Sequence, residues 1–204
     1  MERLHDACGV VGIYAQGCDE KGIDVRRYLT LALTALQHRG QESAGVASFD
    51  GAVHLYKSMG LVDVIFADAP ALPGSRAVGH NRYSTCGSSI AVNAGPFRVE
   101  TPLGPLVLAH NGNIVNAPAL RALLQERWGL SPESSSDSEL LALLLGVAPG
   151  HTWQERILWV ARLARGSRSP WHWHWCSSSP RPRLAPRRGR GTTALILREP
   201  FWSG

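Results

Sequence analysis

Apolar residues recur along this chain with two different periods, and the order in which those periods alternate limits the possible folds most. Residues 9–15, Gly-Val-Val-Gly-Ile-Tyr-Ala, are short, apolar and β-branched and read as a buried strand. Val25, Tyr28, Leu29, Ala32, Leu33 and Leu36 then recur at three and four, which predicts a helix over 25–38 with Asp24 as its cap and Gly40 as its stop. Strands are expected at 44–49 and 53–57, joined at Asp50-Gly51, and again at 76–82, 97–100 and 105–110. Pro118 suits a first helical turn, and Leu120, Leu123, Leu124 and Trp128 give one apolar face. The serine run 134–136 opens into a capped, leucine-rich helix, and another helix is expected over 153–164. Strands, one helix, more strands and then helices suit a layered α+β sandwich better than the regular alternation of a doubly wound sheet.

A chain of 204 residues suffices for one domain with a real core, and its 44% apolar and 18% charged residues are those of a globular protein. No run of about 18 apolar residues could span a membrane. No apolar stretch before Cys8 could serve as a secretory signal, so the expected location is cytoplasmic. The net charge of +5 is unevenly placed: residues 1–164 hold 13 Lys/Arg against 15 Asp/Glu, while 165–204 hold eight Arg and one Glu. The core part therefore gives no electrostatic reason to bind nucleic acid. Cys8, Cys18, Cys86 and Cys176 form no CxxC pair, which argues against a disulfide framework or a zinc site. Cys18 reads as incidental, and Cys86 falls just after Arg82 without a chemical role of its own.

Cys8 stands directly before the first strand. On its own it reads first as a small buried residue at a strand edge, and only second, if residues 1–7 are a leader removed on maturation, as an N-terminal nucleophile. In the second case its α-amine, with a pKa of about 7.7–8.0, lies beside its own thiol and can take the thiol proton. Four further segments follow in order: Gln37-His38-Arg39-Gly40-Gln41-Glu42-Ser43-Ala44-Gly45, His80-Asn81-Arg82-Tyr83-Ser84-Thr85, His110-Asn111-Gly112-Asn113 and Ser136-Asp137-Ser138-Glu139. Together with Cys8-Gly9-Val10-Val11-Gly12 they resemble the class II glutamine amidotransferases, and their wording resembles the amidophosphoribosyltransferase family over residues 8–164.

The resemblance implies a four-layer αββα sandwich of the N-terminal nucleophile hydrolase type, incomplete at the C-terminus. It implies glutamine hydrolysis to glutamate and ammonia, with the ammonia passed in a complete enzyme to phosphoribosyl diphosphate in the first step of purine synthesis. Cys8 would attack the side-chain amide, and Asn111 and Gly112 would form the oxyanion hole, where two fixed donors each contribute a few kcal/mol. Arg82 would hold the substrate carboxylate in a bidentate grip and Asp137 the α-ammonium. Alone, those two would read as a strand-end charge and a helix cap. Arg39 and Gly40 would line the nucleophile's surroundings, and His38, His80 and His110 would orient loops rather than act as the base. Glutamine is the expected ligand, no metal is expected in this chain, and no nucleic acid or membrane partner is expected. Magnesium, an iron–sulfur cluster, phosphoribosyl diphosphate and homo-oligomer formation would belong to the complete enzyme. Gly95 departs from the family, which commonly has Gln there.

Past Arg165 the texture changes. Residues 165–204 hold eight Arg, five Pro and Trp-His-Trp-His-Trp, with no core-forming periodicity until Thr192–Leu197, and the phosphoribosyltransferase motifs are absent. This tail reads as disordered or out of frame: shifting plausible codons for 171–180 by one base gives Leu-Ala-Leu-Ala-Leu-Val-Leu-Leu-Leu-Pro, an apolar strand. Two other readings remain open for the chain. One is an inactive remnant that binds glutamine or a partner without turnover; the other is RNA binding through the Arg-rich tail. His172 and His174 share a strand face but lack a third ligand at suitable spacing.

Overall fold

The β-branched run after Cys8 forms β1 (Gly9–Tyr14), which lies antiparallel to β4 (Arg76–Arg82) with Gly9 opposite Asn81. The computed structural model describes residues 8–15, 25–83 and 89–165, together with the backbone of two strands at 172–176 and 193–198. Residues 1–7, Cys18, Asp24 and Cys86 lie outside the described residues. β2 (Ser43–Phe49) sits between β4 and β3 (Val53–Met59), giving a first sheet of order β1-β4-β2-β3. The β2–β3 hairpin closes over Asp50, Gly51 and Ala52: Gly51 takes φ +119°, and Asp50 Oδ1 accepts the Ala52 N–H at 3.2 Å.

α1 (Val25–Ala35) packs on β1 and β4 through Val25, Leu29 and Leu33, all fully buried. The helix expected to run to 38 ends at Ala35 and tightens into a 3-10 turn over Gln37–Arg39. Gly40 is extended, with φ −162°, rather than the left-handed stop expected from its position. Glycine is required there for space, because a Cβ would lie 2.8 Å from the Arg82 carbonyl carbon. α2 (Val62–Ala67) completes this side, with Val62, Ile65 and Phe66 joining the α1 core.

The second sheet has the order β5-β6-β8-β7, built from β5 (Phe97–Val99), β6 (Leu106–Asn111), β7 (His172–Cys176) and β8 (Thr193–Arg198). β8 runs parallel to β6 and antiparallel to β7. Two strands thus fall in the segment after 165; the expectations for the rest of that tail concern residues outside the described ones.

α3 (Ala117–Trp128), α4 (Asp137–Val147) and α5 (Trp153–Leu163) cover the outer face of the second sheet. α4 is the innermost: Leu140, Leu141, Leu144 and Leu145 are fully buried against Phe97, Leu106 and Leu108. Burial of one leucine of this kind contributes about 1.5–3 kcal/mol, so the α4 face dominates this half of the core. The two sheets meet through β4 and β1 against β6. The layers therefore run helix, sheet, sheet, helix, as the resemblance implies. Among the described residues, no helix is long and apolar enough to cross a membrane.

Candidate active site

One end of the paired sheets opens into a cleft of about 380 Å³, counting its solvent-open mouth. Cys8, Arg82, Gly112 and Asp137 all line it. They come from four separate segments: the start of β1, the end of β4, the turn after β6 and the first turn of α4. Strand pairing explains the first two, since β1 and β4 run antiparallel and Cys8 emerges beside the end of β4. The Cys8 thiol reaches the Tyr83 carbonyl at 3.8 Å. Burial pushes the thiol pKa up, while the Tyr83 hydrogen bond and the Arg82 charge pull it down and Glu42 pushes it up.

Arg82 is almost fully buried and pairs through Nη1 with Glu42 Oε1. β2 lies alongside β4 with Ser43 opposite Arg82, which sets Glu42 against the guanidinium. The other Glu42 carboxylate oxygen, Oε2, is buried without a hydrogen-bond partner. Glu42 is a residue that sequence reasoning did not assign. Its contact with Arg82 spans forty positions and depends on the β2–β4 register, which no local pattern discloses.

Asp137 is half-buried, and its Oδ2 accepts the Ile114 N–H at 2.8 Å, tying α4 to the turn that carries Gly112. Burial raises its carboxyl pKa, against the pull of the Ile114 hydrogen bond and the Arg121 charge. Ser136 caps α4, its side chain accepting the Ser138 N–H at 3.2 Å, so the cap residue and Asp137 both face the cleft. Tyr83, Asn113, Ser136 and Ser138 are lining residues that the motifs contained but sequence reasoning gave no role.

The remaining expected residues fall around this wall. Gly112 lines the cleft; Asn111, the last residue of β6, is half-buried beside it and is not among the lining residues. Arg39 Nε reaches the Cys8 carbonyl at 3.4 Å, and Gly40 packs on the Arg82 backbone, so both support the wall from behind. His38 is exposed and its ring contacts the Ala35 carbonyl at 3.1 Å. His80 and His110 lie in the cleft wall, fully enclosed. Burial, then the Arg82 charge, lowers the His80 pKa to about 4; burial, then His80, lowers that of His110 to about 3. Both are neutral near pH 7. Among the described residues, no three His, Cys, Asp or Glu side chains gather as a metal site would need.

Two facing sheets between helical layers, with a cysteine at the head of the first strand, make the fold that of the N-terminal nucleophile hydrolases. No family model matches the chain. The amidophosphoribosyltransferase of Synechocystis sp. is 45% identical over 173 residues, covering 82% of this chain and 34% of that protein. The amidophosphoribosyltransferase of Homo sapiens is 40% identical over 167 residues, covering 78% and 32%. A solved structure described as the allosteric regulatory enzyme of purine biosynthesis superposes with a TM-score of 0.66 at 33% identity, over 77% of this chain and 33% of that one. The glutamine phosphoribosylpyrophosphate amidotransferase from B. subtilis, complexed with ADP and GMP, gives 0.65 at 32% identity, over 77% and 33%. The chain is thus homologous, over about four fifths of its own length, to proteins named amidophosphoribosyltransferase. It spans about a third of the length of the relatives it matches.

Proposed function

We propose that this chain hydrolyses glutamine to glutamate and ammonia, with Cys8 as the nucleophile once residues 1–7 are removed. In a complete enzyme the ammonia would then be passed to phosphoribosyl diphosphate. The observation that carries the reading is the convergence of Cys8, Arg82, Gly112 and Asp137 on one cleft, in a chain homologous to amidophosphoribosyltransferases.

Each group then has one task. The freed α-amine of Cys8, with a pKa of about 7.7–8.0, takes the thiol proton. A thiol whose pKa is raised by burial needs such a base at its side. The thiolate attacks the side-chain amide carbon, and negative charge develops on the amide oxygen. Gly112 N–H and the Asn111 side chain are the donors for that oxygen, and loss of one such donor costs about 2.7–4 kcal/mol in known cases. Collapse of the tetrahedral intermediate expels ammonia, which carries away the proton relayed by the amine. Water then hydrolyses the thioester, releasing glutamate.

Arg82 grips the substrate α-carboxylate and Asp137 the α-ammonium. A guanidinium carries five donors, of which Glu42 engages Nη1. The Glu42–Arg82 pair also favours a second reading, in which glutamine binds weakly and without turnover. Ammonia release separates the two. Protein whose intact mass begins at Cys8 should release ammonia from glutamine, and Cys8→Ala should abolish release. Binding of glutamine without ammonia would establish the second reading.

A further inference from the structure

We propose that Asn93 is a positioning residue: it ties the segment bearing Asp137 to the sheet bearing Cys8 and Arg82, and so sets the width of the cleft. The inference rests on the glutaminase reading for its assay, but its grounds are the contacts of residues 93–96. Asn93 is fully buried, at the end of a short 3-10 turn (Ala91–Asn93). Its Oδ1 accepts the Ser135 N–H at 2.9 Å and the Ser135 hydroxyl at 3.2 Å. Ser135 is two residues before Asp137 and directly precedes the cap Ser136.

The neighbouring residues bind the first sheet at three strands. Lys57 Nζ on β3 donates to the Ala94 carbonyl at 2.7 Å. On β2, a Cβ at Gly45 would lie 2.2 Å from the Gly95 carbonyl oxygen, so the two backbones touch. On β4, a Cβ at Gly95 would lie 2.5 Å from Nδ1 of His80, a residue of the cleft wall. The segment is thus a strut with one end on the nucleophile's sheet and the other on the Asp137 segment. Asp137 sits at the end of an otherwise long irregular stretch, 129–136. Arg121 and Glu139 brace that stretch to α3 and α4, on its own side. Asn93 supplies a hydrogen-bonded link across, beside the electrostatic attraction of Lys57 on β3 for Glu133 and Glu139.

A misplaced grip weakens substrate binding more than chemistry, because Cys8 and Gly112 lie on other segments. A misplacement of about 1 Å in a group that positions substrate can cost about 100-fold. The test is steady-state ammonia release on full-chain protein matured at Cys8. Asn93→Ala should raise KM for glutamine at least tenfold with kcat within threefold. Lys57→Met releases the other end of the strut and should also raise KM with kcat little changed, giving a second reading if Asn93→Ala does not fold. An unchanged KM in the folded variants, or kcat falling in step with melting temperature, overturns the strut. Absence of ammonia from the unsubstituted protein instead overturns the glutaminase reading, not the strut.

Discussion

Acidification from about pH 7 to pH 5 should weaken this fold far more than surface charge alone would, through His80 and His110. Both are fully enclosed, with pKa lowered from 6.5 to about 4 and about 3. A histidine with a lowered folded pKa binds fewer protons folded than unfolded between those two values, so stability falls as pH falls below 6.5. At pH 5 each histidine is about 1.5 units below its unfolded pKa yet still neutral when folded, a loss of about 2 kcal/mol each and about 4 kcal/mol together. Against a total of about 5–15 kcal/mol for a domain, that is a large share. With a urea m value of about 2 kcal/mol/M, the unfolding midpoint should drop by about 2 M. Asp137 works in the opposite sense, regaining stability as pH falls through its raised pKa, so the same pair of titrations in Asp137→Asn isolates the histidines. His110→Gln should halve the drop. A midpoint that moves by less than about 0.5 M across this range would refute the reasoning that both rings are folded in as neutral groups.

Three other outcomes follow from single contacts. Arg156 is buried and donates to the carbonyls of Leu145, Gly146 and Gly150, capping the end of α4, so Arg156→Ala should cost about 2–4 kcal/mol in urea unfolding. Glu42→Gln removes an anion that opposes thiolate formation, so Cys8 should react faster with iodoacetamide at a given pH, with a thiol titration shifted downward. Gly45→Ala would press a Cβ onto the Gly95 carbonyl oxygen and Lys57 Cβ, and should destabilise the fold by about 1–3 kcal/mol, read as a lowered melting temperature.

The elements with strong periodicity were legible in the sequence to within about three residues, the largest miss being the end of α1 at Ala35 rather than 38. α1, α4 and α5 carry repeated leucines or valines over three turns, and the β2–β3 hairpin announces itself at Asp50-Gly51. α2 was not legible: six residues, Val-Asp-Val-Ile-Phe-Ala, are too short to show a period, and Leu61 gives no capping side chain. β7 was read only as a possible strand face, since alternation of Trp and His lacks the β-branched character of β1. At the site, ordered motifs gave Cys8, Arg82, Gly112 and Asp137. They did not give Glu42 on Arg82 or Asn93 on Ser135, because each joins residues about forty positions apart through strand register and loop course. Gly40 was legible as important but for the wrong reason: its role is close approach to Arg82, not a left-handed turn.

The proposed nucleophile for the glutamine side chain is Cys8 as an N-terminal residue. The most direct measurement is mass spectrometry of the purified protein, first intact and then after exposure to an electrophilic glutamine analogue. A chain beginning at Cys8 should take up one label per molecule on that residue, with labelling slowed by glutamine and absent in Cys8→Ala. A chain that begins at Cys8 and remains unlabelled, or carries the label elsewhere, would rule Cys8 out as that nucleophile.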